Sequence, residues 1–154
     1  MYNITIQFAS DKKRAPKPAR LRQWAEKALE NQMESAELNI RIVDINEMSK
    51  LNSVYRRKNG PTNVLSFPSA IHDEVELETP ILGDIVICTE VVNSEAREQQ
   101  KSEEAHWAHM VVHGVFHLLG YDHESNNEAE IMESLEKQVM RDLGFKDPYE
   151  VGEE

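Results

Sequence analysis

Three histidines near the end of the sequence have the spacing of a metal site. His113, His117 and His123 form the pattern H-x3-H-x5-H. Four residues apart on a helix, the first two share one face and can both direct a ring nitrogen at one ion. Gly120 permits a turn that returns His123 toward them. Because three imidazoles with a fourth position left to water are the ligand set of a catalytic zinc ion, the spacing predicts one Zn²⁺ per chain.

The alternative is that these histidines are ordinary core residues with hydrogen-bonded rings. The segment from Trp107 to Leu119 is apolar on nearly every face and is expected to be a buried helix. Leaving a polar ring unpaired in such a helix costs about 1 to 3 kcal/mol. One metal ion would satisfy all three rings at once, which favours the metal site.

The elements that must position these histidines form an α+β pattern. Period-two alternation predicts strands at residues 2–8, 38–44, 63–67 and 82–89. Helical spacing predicts helices at residues 18–33, 45–55, 90–100, 103–119 and 127–143. Residues 71–80 are expected to be an acidic loop or hairpin arm. The fold predicted is a mixed sheet of about four strands with helices packed on it and the metal-binding helix central.

The last predicted helix is expected to cover the metal-binding helix. Its apolar stripe consists of Ile131, Leu135, Val139 and Met140. The acidic tail after Pro148 is expected to be frayed.

Composition indicates an ordinary globular chain. Its 154 residues are 40% hydrophobic and 29% charged, so we expect a single domain over residues 1–154. Residues 1–8 lack the basic and apolar regions of a signal peptide. No apolar run reaches the roughly 18 residues of a membrane helix, and the single Cys88 has no partner for an internal disulfide. The expected location is the cytoplasm, without membrane association.

Charge is divided unevenly along the chain. Residues 1–71 carry 12 Lys and Arg against 7 Asp and Glu, whereas residues 72–154 carry 5 against 21. This asymmetry predicts a basic face that binds an anionic partner, although a merely solvated surface is the alternative. The basic cluster consists of Lys12, Lys13, Arg14, Lys17, Arg20 and Arg22.

Two motifs connect the chain with known families. Residues 113–123 match the metzincin protease pattern H-E-x-x-H-x-x-G-x-x-H at every ligand and at the glycine, but Gly114 replaces the glutamate that serves those proteases as general base. A second segment, from Leu51 to Phe67, together with Gly83-Asp84-Ile85, completes a different match. Over nearly its whole length the chain resembles the YbeY family of bacterial endoribonucleases.

The resemblance implies a zinc-dependent endoribonuclease that acts on single-stranded RNA. It implies a role in rRNA maturation, particularly at the 3′ end of 16S rRNA, and in ribosome quality control. The partners would be rRNA and the ribosome or ribosome-associated proteins. Carried over by motif position, the metal ligands are His113, His117 and His123, and the functional arginine is Arg56.

The residues themselves suggest a mechanism. Zinc lowers the pKa of bound water toward neutrality, which would make a glutamate base unnecessary. Arg56 is predicted to be catalytic together with His113 and His117, because a guanidinium is a permanently charged bidentate donor to phosphate oxygens. Arg57 and Lys58 would bind substrate beside it. The alternative for Arg56 is an ordinary surface arginine.

Other residues near the motif each have two interpretations. His109 either faces the site, as a proton donor or as a group that supports a metal ligand, or is a core histidine. Asp122 either orients a ligand imidazole or only forms a turn. Gly114 either opens space beside the metal or permits close helix packing. Met132 and Met140 either lie under the site or pack in the core. His72 and His106 are assigned no role.

Two rival functions remain open on the sequence. The first is a zinc peptidase whose general base comes from elsewhere in the chain. The second is a non-catalytic ribosome-binding module in which zinc only stabilises the fold.

Overall fold

The computed structural model describes residues 1–69 and 79–150. Residues 71–78 of the predicted acidic segment, including His72, lie outside the described residues. The strands are β1 (Tyr2–Phe8), β2 (Ala36–Val43), β3 (Val64–Pro68) and β4 (Ile81–Cys88). The helices are α1 (Pro18–Leu29), α2 (Ile45–Arg56), α3 (Thr89–Glu98), α4 (Glu103–Leu118) and α5 (Asn126–Asp142), and a short 3₁₀ helix spans Lys12–Arg14.

The four strands form one mixed sheet in the order β1-β2-β4-β3. Strands β1 and β2 are parallel, as are β2 and β4, whereas β3 runs antiparallel to β4 at the edge of the sheet. Helix α1 makes the crossover between the first two strands. The predicted α+β fold with a mixed four-stranded sheet is therefore confirmed.

The sheet has a different apolar cluster on each face. Because successive side chains of a strand point to opposite faces, Ile85 and Ile87 of β4 face the main core, whereas Val86 and Cys88 face the smaller cluster that includes Met48 of α2. Helices α1 and α4 contribute to the main core. The sheet thus separates α2 from α4.

Helix α4 is the most enclosed helix, as predicted. It contacts α1, α3 and α5 as well as strands β3 and β4. Its start is set by Ser102, whose hydroxyl accepts a hydrogen bond from the Ala105 backbone N–H at 3.0 Å. Glu103 and Glu104 lie in the first turn, where negative charge is favourable.

Several predicted boundaries differ from the structure by a few residues, and hydrogen bonds explain two of them. Helix α1 ends at Leu29 rather than at Met33, because the Leu29 carbonyl accepts from both Gln32 and Met33 and turns the chain toward β2. Strand β2 ends at Val43 and not at Asp44, where the predicted strand ended. The Asp44 carboxylate caps α2 by accepting from the Glu47 backbone N–H at 2.9 Å.

Candidate metal centre

Two of the three histidines lie on α4 and the third on the turn that follows it. His113 and His117 are one helical turn apart. The helix ends in a Schellman motif, in which Gly120 has a φ of 101° and donates to the His117 carbonyl, and Tyr121 donates to the Phe116 carbonyl. The Tyr121 ring packs edge-on against Phe116 at 5.6 Å between centroids. This turn brings the chain back to His123.

The three imidazoles converge. One ring nitrogen from each of His113, His117 and His123 lies within 4.8 Å of the others. The Nε2 atoms of His113 and His117 are 3.0 Å apart, and the His123 ring lies 5.1 Å from the His117 ring between centroids. The rings of His113 and His117 are partly buried, and His123 is exposed. The cluster is therefore open to solvent on one side, which a catalytic site requires.

The donor set fits a zinc ion. Tetrahedral zinc with bonds of about 2.0 to 2.1 Å to imidazole needs ligand nitrogens roughly 3.3 Å apart. The Nε2 atoms of His113 and His117 are 3.0 Å apart, and a His123 ring nitrogen lies within 4.8 Å of both ligand nitrogens. Burial lowers the pKa of His117, and charge on His113 or His123 would lower it further. The neutral ring that results is the form that binds a metal. His113, His117 and His123 are thus able to hold one divalent ion.

A buried glutamate adjoins this cluster, and the sequence analysis missed it. Glu136 of α5 has no exposed surface. One carboxylate oxygen, Oε2, lies 3.2 Å from Nδ1 of His113, and the other, Oε1, lies 2.5 Å from Nε2 of His109. Although burial opposes ionisation, these two hydrogen bonds lower the pKa of Glu136 to about 2. Glu136 is therefore a carboxylate, and burial lowers the pKa of His109 and keeps that ring neutral.

The C-terminal segment completes the surroundings of Glu136. The Tyr149 hydroxyl donates to Glu136 Oε1 at 2.9 Å, and its ring stacks edge-on against His109 at 5.1 Å between centroids. Burial and the neighbouring carboxylate both raise the pKa of Tyr149, so the hydroxyl keeps its proton. The prediction that the tail is frayed after Pro148 was wrong at Tyr149.

The apolar stripe predicted for α5 was partly wrong. Ile131 is 56% exposed, whereas Met132 and Met140 are buried in the main core. The buried positions of α5 are Met132, Glu136, Val139 and Met140. A glutamate four residues from a methionine on each side was the available signal for a buried carboxylate.

The contacts in the structure decide between the interpretations of Gly114, Asp122 and His109. A Cβ on Gly114 would lie 2.8 Å from Cγ2 of Ile85, so the glycine permits α4 to pack closely on β4. Asp122 accepts from the His123 backbone N–H at 2.7 Å, while its carboxylate oxygen is 4.0 Å from the His123 ring nitrogen. Asp122 therefore shapes the turn. His109 is a core histidine that bonds to the same carboxylate as His113.

His106, for which the sequence suggested no role, is part of a second pair that is partly buried. Its Nε2 lies 2.9 Å from Glu95 Oε1, and the Asn63 side-chain amide donates to the same carboxylate at 3.1 Å. Burial alone would raise the pKa of Glu95, but these hydrogen bonds lower it. The pair ties α3 to α4 and to the start of β3.

In the described part of the chain, Arg56 makes no hydrogen bond with the three histidines. Arg56 is exposed at the end of α2, and Arg57 follows it with a φ of 54°. Tyr55 stacks on Phe67 at 5.1 Å, whereas the neighbouring Ser66 donates to the Gly114 carbonyl of α4. Edge strand β3 thus separates Arg56 from the metal-binding helix. The Arg56 side chain makes no hydrogen bond or ion pair with the described residues.

Most of the predicted basic cluster surrounds one cavity of about 690 Å³. Arg20 is paired with Glu104 at 3.2 Å. Other basic residues around the cavity have no ion-pair partner among the described residues; they are Lys13, Arg14, Lys17 and Arg97. Lys12 lies instead over the Phe8 ring, and Arg22 donates to the Ile4 carbonyl.

Comparison with known proteins gives the family. The family model described as Endoribonuclease YbeY matches residues 5–144. The chain belongs to this family. It is 52% identical over 149 residues to the Endoribonuclease YbeY of Pseudomonas syringae pv. syringae (strain B728a), covering 97% of this chain and 89% of that protein. The Endoribonuclease YbeY of Pseudomonas savastanoi pv. phaseolicola (strain 1448A / Race 6) matches with the same identity and coverage.

A solved structure supports the fold of this YbeY-family chain. The solution structure of TM1509 from Thermotoga maritima superimposes with a TM-score of 0.59 at 26% identity, covering 97% of this chain and 99% of that one. None of the helices in the described part of the chain has both the length and the apolar character needed to cross a lipid bilayer.

Proposed function

We propose that this protein is a zinc-dependent endoribonuclease that cleaves single-stranded RNA during rRNA maturation and ribosome quality control, with 16S rRNA 3′ ends as substrate. The observation that carries the proposal is the convergence of three imidazoles within 4.8 Å in a chain that belongs to a family named for endoribonuclease activity. The ribosome or its associated proteins would present the RNA. A cytoplasmic location follows from that substrate.

His113, His117 and His123 are proposed to hold the ion. When bound there, zinc would lower the pKa of a water molecule and polarise a phosphoryl oxygen. The Glu136 carboxylate holds His113 by its Nδ1 atom, which orients this ligand before a metal or substrate binds. His123 is 58% exposed and lies on the open side of the cluster, where the RNA strand would enter.

Arg56 is proposed to bind an RNA phosphate, with Arg57 and Lys58 beside it. All three are exposed at the end of α2 and in the following loop. Because β3 separates them from α4, the RNA strand would pass over the edge of the sheet between the metal and these cations. A guanidinium without an internal partner is free to make a bidentate contact with phosphate.

The same geometry argues against the peptidase alternative. A metzincin protease places a glutamate general base directly after its first histidine. Here that position is Gly114, whose missing side chain faces Ile85 and leaves no room for a longer one. Glu136 does not replace it, because its two oxygens are already occupied by His109, His113 and Tyr149.

The proposal is tested with purified protein and three substrates: short single-stranded RNA, the same RNA as a duplex, and an unstructured protein. We expect cleavage of the single strand alone, its loss when a chelator removes the metal, and its recovery with added zinc. Cleavage of protein but not RNA would support the peptidase. RNA binding without cleavage, unchanged after His117→Ala, would support the non-catalytic module.

A further inference from the structure

Glu136 stands at the centre of a buried hydrogen-bond network. Its carboxylate has no exposed surface, and it contacts His109, His113 and Tyr149. An ionised carboxylate only accepts hydrogen bonds, so all three partners must donate. A buried charge is costly unless it is paired, and two donors from α4 and one from the C-terminal segment provide the pairing.

This network fixes the tautomer of His113. Since the ring donates from Nδ1 to Glu136, a neutral His113 carries its lone pair on Nε2. Nε2 is the atom that lies 3.0 Å from Nε2 of His117. The opposite tautomer would place a proton between these two nitrogens, where the ion is proposed to bind. Glu136 therefore selects the form of His113 that is able to ligate a metal.

The C-terminal segment reaches the same carboxylate from the other side. Phe145 packs edge-on against Trp24 at 6.3 Å between centroids, and the Pro148 carbonyl accepts from Lys101. Tyr149, the residue after Pro148, donates to Glu136 Oε1. His109 shares that oxygen and has no partner for its Nδ1 among the described residues, as expected when Nε2 carries its proton.

We infer that Glu136 is the positioning residue of the metal centre and holds His113 with Nε2 toward the ion. Tyr149, by its hydrogen bond to Glu136, makes zinc affinity depend on the position of the C-terminal segment. The inference rests on the proposed function only in taking His113, His117 and His123 as the ligands. Groups that orient a ligand histidine from behind commonly change metal affinity by about 10- to 100-fold when they are replaced.

The test is zinc affinity, measured by competition with a chromophoric chelator on folded protein. Glu136→Gln exchanges one acceptor oxygen for an amide donor. In one orientation of the amide His113 loses its acceptor, and in the other both His109 and Tyr149 lose theirs. We expect zinc to bind about 10- to 100-fold more weakly, and Glu136→Asp to recover part of the loss. Glu130→Gln, the same change at an exposed position of α5, should leave the affinity unchanged. Tyr149→Phe should weaken zinc binding about two- to tenfold, because it removes one hydrogen bond to the charged group.

A second measurement keeps the inference testable if Glu136→Gln does not fold. In metal-free wild-type protein, ¹⁵N chemical shifts of the His113 ring should show the proton on Nδ1. A proton on Nε2, or zinc affinities of folded Glu136→Gln and Tyr149→Phe within about twofold of wild type, would overturn the inference. None of these readouts is RNA cleavage. A wild-type protein that binds no zinc would instead remove the proposed function, while the tautomer measurement would still decide what Glu136 does.

Discussion

Arg56 is proposed to act on RNA without touching the metal. It is exposed, it lies across β3 from α4, and none of the metal-binding side chains needs it for support. Its contribution would come from a planar pair of donors held near a phosphate, where charge increases in the transition state. The effect of removing it should therefore appear in the chemistry and not in folding or metal content.

Arg56→Ala should leave the thermal midpoint and the zinc content unchanged and lower RNA cleavage by about 10² to 10³, the usual effect of losing one preorganised charged donor. Arg56→Lys should recover part of the rate, since an ammonium keeps the charge without the bidentate geometry. Arg141→Ala, at an exposed position in the last turn of α5, is the matched control. Cleavage by Arg56→Ala within about threefold of wild type at equal zinc content would make Arg56 a surface residue.

Gly114 is required by packing on the sheet. Its missing Cβ would meet Cγ2 of Ile85, which is fully buried and branched at Cβ and so has little freedom to move. Gly114→Ala should lower the free energy of unfolding by about 1 to 2 kcal/mol, because overpacking outweighs the gain of about 1 kcal/mol in helix propensity. Urea unfolding measures the change.

Ile85, the residue that a Cβ on Gly114 would contact, supplies the control. Ile85→Ala alone should cost about 2 to 5 kcal/mol through the cavity it leaves. When Gly114→Ala and Ile85→Ala are combined, the Cβ added on α4 occupies part of that cavity, so the combined loss should be smaller than the two single losses together. Additive losses would show that Gly114 and Ile85 are not in contact.

At the scale of elements, local signals predicted the part of the site on α4. Histidines four residues apart and a glycine after the last turn are both encoded within one stretch of sequence, and the structure forms the helix and its Schellman turn there. The Glu136 contact is different, because it joins residues 23 apart on two helices. The spacing of Glu136 between Met132 and Met140 indicates a buried position on α5, but only the crossing of that helix over α4 shows that the carboxylate contacts His113.

The contact between α3 and α4 gives the fold a dependence on acid. The pKa of Glu95 is lowered in the folded protein by hydrogen bonds with His106 and Asn63, despite burial. A group with a lowered folded pKa adds stability above its unfolded value, near 4.5, and this contribution disappears as pH falls through the folded value. We expect Glu95→Gln to be less stable than wild type at pH 7.

The pH profile separates this effect from a general packing loss. The stability difference between wild type and Glu95→Gln, measured by urea unfolding, should shrink as the pH is lowered from about 5 to 3. Glu98→Gln, at an exposed position of the same helix, is the control and should follow wild type. A difference that stays constant over this range would contradict the role assigned to the Glu95 charge.

For the whole molecule, the sequence predicted the charge division but not its geometry. The basic residues of the first half are not spread evenly. Several of them surround the cavity between the start of α1, α3 and the start of α4, where Arg97 joins them from the acidic half. That convergence depends on how the helices cross, which residue spacing along one segment does not encode. We propose that an RNA backbone contacts this cavity, where its basic side chains would release counterions from the phosphates.

Salt dependence tests this surface. Each phosphate contact to single-stranded nucleic acid contributes about 0.7 to the slope of log affinity against log salt. Replacing Lys13 and Lys17 together by Gln should lower that slope by about 1.4 and weaken RNA binding. The control is Lys146→Gln, an exposed position outside the cavity lining. An affinity that is independent of salt, or an unchanged slope, would remove the cavity from the RNA-binding surface.

RNA cleavage is proposed to require one ion held by His113, His117 and His123. The most direct test is to strip the protein of metal and follow the cleavage rate of a short single-stranded RNA as zinc is added stepwise. The rate should rise from near zero and saturate at one zinc per chain, and the His113→Ala, His117→Ala double variant should stay inactive and bind no zinc. Full cleavage by metal-free protein, or zinc retained by the double variant, would contradict this requirement.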